Sequence, residues 1–301
     1  MHHHIFKETV GISIEEKVKF IDDHRGQHTL SILLTVAKLS KSSYFEFKNR
    51  KVSQQEKQKV KISKLIKKIW LDSNKIYGAR KIKAKLEAHR VYVSERTVGN
   101  YMKDMDIASV YRRKYRPATN SKTNSSDLPN HTKDVPIDRP HHTVATDITY
   151  IHTQKDGWVY QITFIDLHTR KILHYGVSRK MNDEFVSSNT ELVLRKYKDL
   201  CVIHSDRGSQ YTSKRYRNLL KSYNVVSSYS KPGYPYDNAI IESYHAALKI
   251  EWIYRQKFQT LEEVNRAVFK YNYGFYNTKR IHQSLGYITP NQAEQNFKVI
   301  N

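Results

Sequence analysis

The chain is long, strongly basic and poor in cysteine: its 301 residues include 52 lysines and arginines, 29 acidic residues and one cysteine, and its net charge is +23. The length indicates two or three modules, and no run of 18 or more apolar residues predicts a membrane-spanning helix. A charge of this size attracts polyanions, so nucleic acid is the expected partner and a membrane surface the second candidate. The single Cys201 excludes an internal disulfide and a cysteine-rich zinc site, which is typical of a cytoplasmic protein.

The N-terminal part of the chain is predicted to be helical and carries most of the positive charge. Positions 51–116 alone hold 19 basic and 6 acidic residues. Within residues 1–53, an apolar-periodic segment precedes a short polar turn and a second short helix, an order that predicts a helix-turn-helix-like unit. Residues 54–116 predict a second and more basic helix-turn-helix domain, which we expect to bind DNA.

The last helix of this basic domain has the pattern of a recognition helix. Ser94 is a candidate N-cap, and the helix is predicted to run from Glu95 to Met105. Three side chains suited to DNA binding fall on one polar side, at spacings of four and three residues: Arg96, Asn100 and Lys103. A basic, aromatic stretch follows at 111–117, and we expect its cations to contact DNA, with a solvated charge run as the alternative. These cations include Arg112, Arg113 and Lys114.

From residue 141 the pattern changes to that of an α/β domain. Residues 117–140 are rich in Ser, Thr, Asn and Pro and are predicted to be a linker, and residues 141–301 a core domain with a C-terminal helical extension. Three hairpin-linked strands, a helix, a strand, a helix, a strand and a helix are predicted at 144–151, 158–167, 171–177, 183–196, 200–204, 213–223, 225–228 and 240–251. This order predicts a ribonuclease H-like mixed sheet flanked by helices, preceded by all-α helix-turn-helix segments.

Three carboxylates stand at positions where an acidic side chain needs an explanation. Asp147 lies in the middle of an apolar strand, where a carboxylate is costly unless it is paired or bound to a metal. Asp206 follows a short apolar strand, and α/β sheets place their ligands at the carboxyl ends of strands. Glu242 lies on the first turn of a helix. Taken alone, Asp147 can be a strand-edge residue, Asp206 a turn residue and Glu242 a surface residue. Taken together, the three carboxylates can converge on a hard divalent cation such as Mg²⁺.

The sequence around these carboxylates resembles the integrase core of retroviral integrases and bacterial insertion-sequence transposases. Asp147 and Asp206 are separated by 58 residues, and Asp206 and Glu242 by 35. Over about residues 30–300 the chain is most similar to the insertion-sequence-three family. The matching words are Tyr77-Gly78-Ala79-Arg80-Lys81-Ile82, Thr146-Asp147-Ile148-Thr149-Tyr150, His204-Ser205-Asp206-Arg207-Gly208, Asp237-Asn238-Ala239, Leu248-Lys249-Ile250-Glu251, and Tyr276-Asn277 with Arg280 and His282. The chain departs from that family at Tyr244 and His245, where an aromatic pair is common.

The resemblance implies a metal-dependent phosphoryl-transfer site. Two Mg²⁺ ions about 4 Å apart, for which Mn²⁺ can substitute, are expected to be held by the three carboxylates. Asp147 is expected to bridge the two ions, with Asp206 on one ion and Glu242 on the other. The same site would cut a DNA strand with water and then join it through the freed 3′-hydroxyl, so no protein nucleophile is needed.

Residues near the triad carry further expectations. Lys249, seven residues after the glutamate on the same helix, can reach a phosphate of the DNA end, with a solvated lysine as the alternative. Asn238 either touches DNA or caps the helix. His204 is expected to support the neighbouring turn. Two further motif residues either pack on the core or meet DNA: Arg280 and His282.

The expected function is that of a bacterial transposase that binds the ends of its own element and catalyses strand cleavage and strand transfer. The expected partners are double-stranded DNA, further copies of the chain on that DNA, and an upstream-frame protein, because the chain resembles the downstream product of a frameshifted pair. The expected location is the cytoplasm, at the nucleoid and not at a membrane. Two alternatives remain: a nuclease of the same fold that cuts without joining, and a DNA-binding protein whose core is inactive. The two basic helical units argue against the first, and the intact triad against the second.

Overall fold

The structure, a computed structural model, describes residues 13–50, 53–112, 137–230 and 238–300. The chain forms two compact units, Met1–Ile62 and Ser63–Asn301. The predicted linker lies almost entirely outside the described residues. The division between the two units falls near residue 62, and the predicted domain boundaries stay predictions.

The first unit is a small three-helix cluster: α1 (Ile14–His24), α2 (Leu30–Val36) and α3 (Lys41–Asn49). Helices α1 and α3 begin with serine caps, since Ser13 forms a capping box with Glu16 and Ser40 accepts from the backbone amide of Ser43. The three helices enclose an apolar core of Val18, Ile21, Leu33, Leu34, Ala37 and Tyr44. The buried Tyr44 donates a 2.6 Å hydrogen bond to Asp22, which fixes α3 against α1. The predicted order of helix, short turn and helix is present in α2 and α3.

The basic helical segment follows, with helices α4 (Gln54–Asp72), α5 (Ala79–Ala88) and α6 (Glu95–Asp104), and the division between the two units falls within α4. Ser94 caps α6 as predicted, because its side chain accepts from the backbone amide of Thr97 at 3.0 Å. The helix that the sequence from Tyr77 onward favours begins only at Ala79. The reason is that Tyr77 is buried, and its hydroxyl donates to the carbonyl of Lys279 at 2.8 Å.

The α/β part contains one five-stranded sheet in the order β3-β2-β1-β4-β5, which confirms the predicted ribonuclease H-like mixed sheet. Its strands are β1 (Thr143–Thr153), β2 (Gly157–Asp166), β3 (Ile172–Ser178), β4 (Val202–Ser205) and β5 (Val226–Tyr229). The first three strands are antiparallel neighbours, whereas β4 is parallel to both β1 and β5. Strand β4 begins two residues later than predicted, since the amides of Cys201 and Val202 both donate to the carbonyl of His142.

Helices cover the sheet and continue beyond it: α7 (Asp183–Lys196), α8 (Ser209–Thr212), α9 (Lys214–Ser222), α10 (Ala239–Glu251), α11 (Leu261–Tyr271) and α12 (Pro290–Ile300). The main core packs α7 and α9 on the sheet through apolar side chains that include Val144, Ile162, Phe164, Val186, Val193, Ile203 and Leu220. Helix α10 contacts β1 and carries the predicted Glu242 in its first turn. No described helix is long and apolar enough to span a membrane.

A buried polar cluster joins the basic helical segment to the α/β part. The carboxylate of Glu251, at the end of α10, is 0% exposed and pairs with the guanidinium of Arg280 at 2.8 Å. It also accepts from the hydroxyls of Tyr271 at 2.8 Å and Tyr111 at 2.5 Å. Because Tyr111 follows α6, this carboxylate ties the helical segment to the helix that carries Glu242. We call Glu251, Arg280, Tyr111 and Tyr271 the Glu251 cluster.

His282 lies beside this cluster and is expected to make stability depend on pH. Burial, reinforced by the positive charges of Arg280 and Lys81, lowers its pKa to about 2. The ring therefore stays neutral in the folded protein but gains a proton in the unfolded chain below pH about 6.5, so stability falls as the pH falls. Wild type is expected to lose about 1 kcal/mol more stability than His282→Gln between pH 6.5 and pH 5.5, because that part of the loss comes from protonation of the unfolded-state ring. Urea unfolding at both pH values tests this expectation. Equal losses in wild type and His282→Gln would contradict it, with the exposed His89→Gln as control.

Candidate active site

Asp147 lies in the middle of β1, at a position where the strand is still paired with β2 but no longer with β4. Its partner across β2 is Thr163, whereas pairing with β4 ends at Ala145. The carboxylate has polar partners on both of its oxygens. One oxygen accepts from the backbone amide of Ile148 at 2.8 Å, and the other lies 3.2 Å from Nδ1 of His245 on α10. Strand β1 therefore presents the Asp147 carboxylate toward α10, beyond the last residue that pairs with β4.

Asp206 directly follows β4, and its carboxylate is held in a tight turn. Its Oδ1 accepts from the backbone amide of Gly208 at 2.9 Å. A Cβ at position 208 would lie 3.1 Å from that oxygen, so glycine allows the close approach. His204, in the preceding strand, is fully buried and bonds through its two ring nitrogens to Ser228 and Ser230. It therefore fixes β4 against β5, which agrees with the predicted supporting role.

The charge of Asp147 acts on both of the other predicted carboxylates. The pKa of Asp206 is raised above its ordinary value, first because the surrounding protein keeps water from the carboxyl group and second because the Asp147 carboxylate repels its negative charge. The same two causes, in the same order, raise the pKa of Glu242, and His245 opposes them. Glu242 is solvent-exposed on α10. Asp147 therefore lies within electrostatic reach of both partners, and a cation would relieve the repulsion between them.

His245 is the residue that the sequence analysis treated only as a departure from a family pattern. Three residues after Glu242, it lies on the same side of α10. Its ring is buried and bridges two strands, with Nδ1 3.2 Å from Asp147 and Nε2 3.4 Å from the hydroxyl of Thr163. The spacing of three from Glu242 was the signal that could have placed it at the site.

Lys249 and Asn238, both predicted to meet DNA, lie at opposite ends of α10. The ammonium of Lys249 lies 4.7 Å from the centre of the Tyr150 ring. Burial lowers the pKa of Lys249, and the negative charge of Asp147 opposes that shift. Asn238 occupies the N-cap position, but its side chain makes no capping hydrogen bond and is 94% buried. Helix capping by this side chain is therefore wrong, and its DNA contact stays a prediction.

The predicted DNA contacts of the helical segment are only partly described. Arg96, Asn100 and Lys103 are all exposed on α6, whose opposite side buries Val98 and Met102. Arg112 ends a short 3₁₀ turn, whereas Arg113 and Lys114 lie outside the described residues. Their DNA contacts stay predictions. The neighbouring Tyr111, expected to contact phosphates and exposed bases, instead hydrogen-bonds to Glu251.

Within the described residues, no three or more His, Cys, Asp or Glu side chains are gathered closely enough to hold a metal ion as they stand. The donor chemistry nevertheless suits Mg²⁺ or Mn²⁺, which prefer carboxylate oxygens. Asp147, Asp206 and Glu242 supply only such oxygens, and each of the last two feels the charge of the first.

The sheet order, with carboxylates on β1, after β4 and on α10, defines a protein of the integrase-core class. Two models of that description match, "Integrase core domain" at residues 137–235 and a second integrase core domain at 223–290. An "HTH-like domain" matches residues 57–115, which agrees with the predicted helix-turn-helix segment. The class of the catalytic part and the presence of a helix-turn-helix-like part are thereby both shown.

Similar proteins identify the family. The transposase for insertion sequence element IS904 of Lactococcus lactis is 34% identical over 251 residues, which cover 82% of this chain and 98% of that protein. Transposase InsF for insertion sequence IS3A of Escherichia coli is 27% identical over 285 residues, 92% of this chain and 98% of that protein. The chain therefore belongs to the insertion-sequence-three family of transposases, as the sequence motifs predicted.

Solved structures also resemble the core. The catalytic core domain of BIV integrase has a TM-score of 0.41 and 20% identity, and covers 53% of this chain and 97% of that chain. The HTLV-2 integrase catalytic core domain in complex with magnesium, in its trimeric form, has a TM-score of 0.41 and 14% identity, and covers 52% of this chain and 97% of that chain.

Proposed function

We propose that the chain binds the ends of its own insertion sequence and catalyses metal-dependent cleavage and transfer of DNA strands. The observation that carries this proposal is the electrostatic grouping of Asp147, Asp206 and Glu242, three carboxylates from three separate elements of an integrase core. Membership of a transposase family supports the substrate, and the net charge of +23 supports binding to a polyanion.

Asp147, Asp206 and Glu242 would hold Mg²⁺, or Mn²⁺ in its place, with Asp147 shared between two ions. When bound, the ions supply Lewis-acid stabilisation of the charge on the transferring phosphate. The exposed Glu242 would turn toward the two aspartates, because α10 and the strands already position the backbones. Asp147 would be oriented by His245, whose other nitrogen is fixed near Thr163.

Lys249 and the exposed side chains of α6 would position the DNA. Lys249 lies on the catalytic helix within electrostatic reach of Asp147, where it would contact a phosphate near the cleaved bond. The exposed face of α6 would read the element end in the major groove. Because the Glu251 cluster joins the two parts, a DNA end bound by α6 would be presented to the carboxylates at a fixed distance. We further propose that two or more copies act together on DNA, in the cytoplasm, and that an upstream-frame protein can assist them.

The experiment is a cleavage assay with labelled DNA that carries the element's own ends, in Mg²⁺ or in EDTA. Nicks at the element ends and joined products that need Mg²⁺ would support both cleavage and transfer. Cleavage without joined products would favour the nuclease alternative. If the DNA is bound but never cut, the fused upstream-and-downstream protein is tested next, and its failure would favour the inactive-core alternative.

DNA binding is expected to weaken steeply with salt. If the two helical units and Lys249 make six to ten phosphate contacts, raising salt from 50 to 200 mM would weaken binding roughly 10³- to 10⁵-fold. Lys103→Gln would reduce the slope of log affinity against log salt by about one if Lys103 contacts a phosphate. Fluorescence anisotropy across a salt series measures both quantities. Affinity that does not change with salt would contradict the role of the basic charge.

A further inference from the structure

A group of exposed aromatic rings lies on β1 and β2, close to the turn that joins these strands. It has no part in the chemistry proposed above. Tyr150 on β1 and Trp158 on β2 are 57% and 54% exposed. The Trp158 ring packs edge-on against Tyr150, with centroids 5.2 Å apart, and against His152, with centroids 5.0 Å apart. We call Tyr150, His152 and Trp158 the aromatic platform. Its rings are held in place by one another while large parts of Tyr150 and Trp158 remain open to solvent.

The surroundings of the platform are positively charged. The ammonium of Lys249 lies 4.7 Å from the centre of the Tyr150 ring. A cavity of about 540 Å³ beside the platform is lined by Lys249 and Lys257, and none of its lining residues is acidic. Ring faces and lysines that line one cavity with no acidic lining residue suit a partner that is both aromatic and anionic. Nucleotides have that chemistry, because a base can stack on a ring while its phosphate meets a lysine.

The platform is also close to Asp147 along β1, although side chains three residues apart on a strand stand on opposite faces of the sheet. Tyr150 lies three residues beyond Asp147 on the same strand, which is about 10 Å along β1. Lys249, which covers Tyr150, is within electrostatic reach of Asp147. Since stacked nucleotides are spaced about 3.4 Å apart along one strand, this distance corresponds to about three nucleotides.

We propose that the aromatic platform stacks on unpaired bases of the DNA within about three nucleotides of the phosphate that is cut. Bases in an intact duplex already stack on their neighbours, so the platform can be used only by bases that have left the duplex. The inference rests on the proposed function, because it places DNA at the carboxylates. It goes beyond that function in assigning a distorted, locally single-stranded substrate.

The test measures binding of the full-length chain to labelled oligothymidylate and to a duplex of equal length, in EDTA and at one salt concentration. Four proteins are compared: wild type, Trp158→Ala, Trp158→Phe and Phe269→Ala. The last is a matched control, because Phe269 on α11 is 58% exposed and also packs edge-on against a tyrosine. Circular dichroism and thermal melting establish that all four proteins are folded.

We expect Trp158→Ala to weaken binding of the single strand roughly 5- to 150-fold and to leave duplex binding within about twofold of wild type. Trp158→Phe should retain most of the affinity, because a ring remains, and Phe269→Ala should behave as wild type. Equal single-strand affinity of Trp158→Ala and Phe269→Ala would overturn the proposal. Loss of self-association in Trp158→Ala, with unchanged single-strand binding, would also overturn it and assign the platform to a protein contact. Because EDTA prevents catalysis, a failed cleavage assay leaves this test intact.

Discussion

Replacement of Asp206 by Asn is expected to reduce strand cleavage at the element ends by roughly 100- to 1,000-fold or more, since it removes a carboxylate that would hold the metal ions and, through them, stabilise the charge on the transferring phosphate. Asn has the same shape, so the turn at Gly208 and the placement of β4 should persist. The measurement is a single-turnover cleavage rate in Mg²⁺, with DNA affinity measured separately. Affinity is expected to stay near the wild-type value, because the loss concerns chemistry.

Stability provides the internal check on this first prediction. The pKa of Asp206 is raised by removal of water from the carboxyl group and by repulsion from Asp147. The ionised carboxylate therefore destabilises the folded protein at neutral pH, and this destabilisation decreases as the pH falls toward the raised pKa. Asp206→Asn should therefore melt at the same temperature as wild type or at a higher one. Asp199→Asn, an exposed aspartate ahead of the same strand, is the control and should cleave normally. Wild-type cleavage by Asp206→Asn would exclude Asp206 from the chemistry.

The second large effect is expected in the Glu251 cluster, where Arg280→Met should lower the free energy of unfolding by about 3–5 kcal/mol. The substitution keeps most of the side-chain volume but leaves the fully buried Glu251 carboxylate without its cation. Hydrogen bonds from Tyr111 and Tyr271 remain, yet neutral donors do not replace a positive charge. Thermal melting should show a decrease of at least several degrees, at roughly 2–4 °C per kcal/mol for a protein of this size.

A second substitution separates lost charge pairing from lost packing. Adding Glu251→Gln to Arg280→Met removes the stranded charge, so the double variant should regain a large part of the lost stability. Arg195→Met breaks an ion pair of similar length, 2.6 Å, on the exposed surface of α7 and should cost less than about 1 kcal/mol. If Arg280→Met and Arg195→Met destabilise the protein equally, the buried pair does not have the role that its burial indicates.

The fold was largely predictable because each element carries a local signal. Alternating or continuous apolar runs gave the five strands, and caps such as Ser94 gave the helix starts. The predicted bounds failed where a tertiary contact replaces the local preference. Tyr77 looks like part of a helix, but its hydroxyl is needed by the backbone at Lys279. Pairing with β2 extends β1 to Thr153, beyond the predicted end.

The candidate site was predictable at the three carboxylates but not in the residues that hold them. Asp147 and Asp206 are conspicuous because a carboxylate in or after an apolar strand needs a partner. The contact of His245 with Asp147 depends on how α10 crosses the sheet, and a single sequence does not contain that angle. Arg280 and Glu251 are 29 residues apart and looked like separate motif residues. Only the fold shows that they form one buried pair, which settles the alternatives for Arg280 in favour of packing.

The central claim is that three carboxylates form one divalent-metal site, and a Mn²⁺ titration followed by electron paramagnetic resonance tests it most directly. Wild-type protein bound to element-end DNA is expected to take up two ions per chain. Asp147→Asn should lose both, because Asp147 is the proposed shared ligand, whereas the Asp199→Asn control should bind as wild type. Equal Mn²⁺ binding by wild type and Asp147→Asn would contradict the claim, and so would the absence of binding by the wild-type complex.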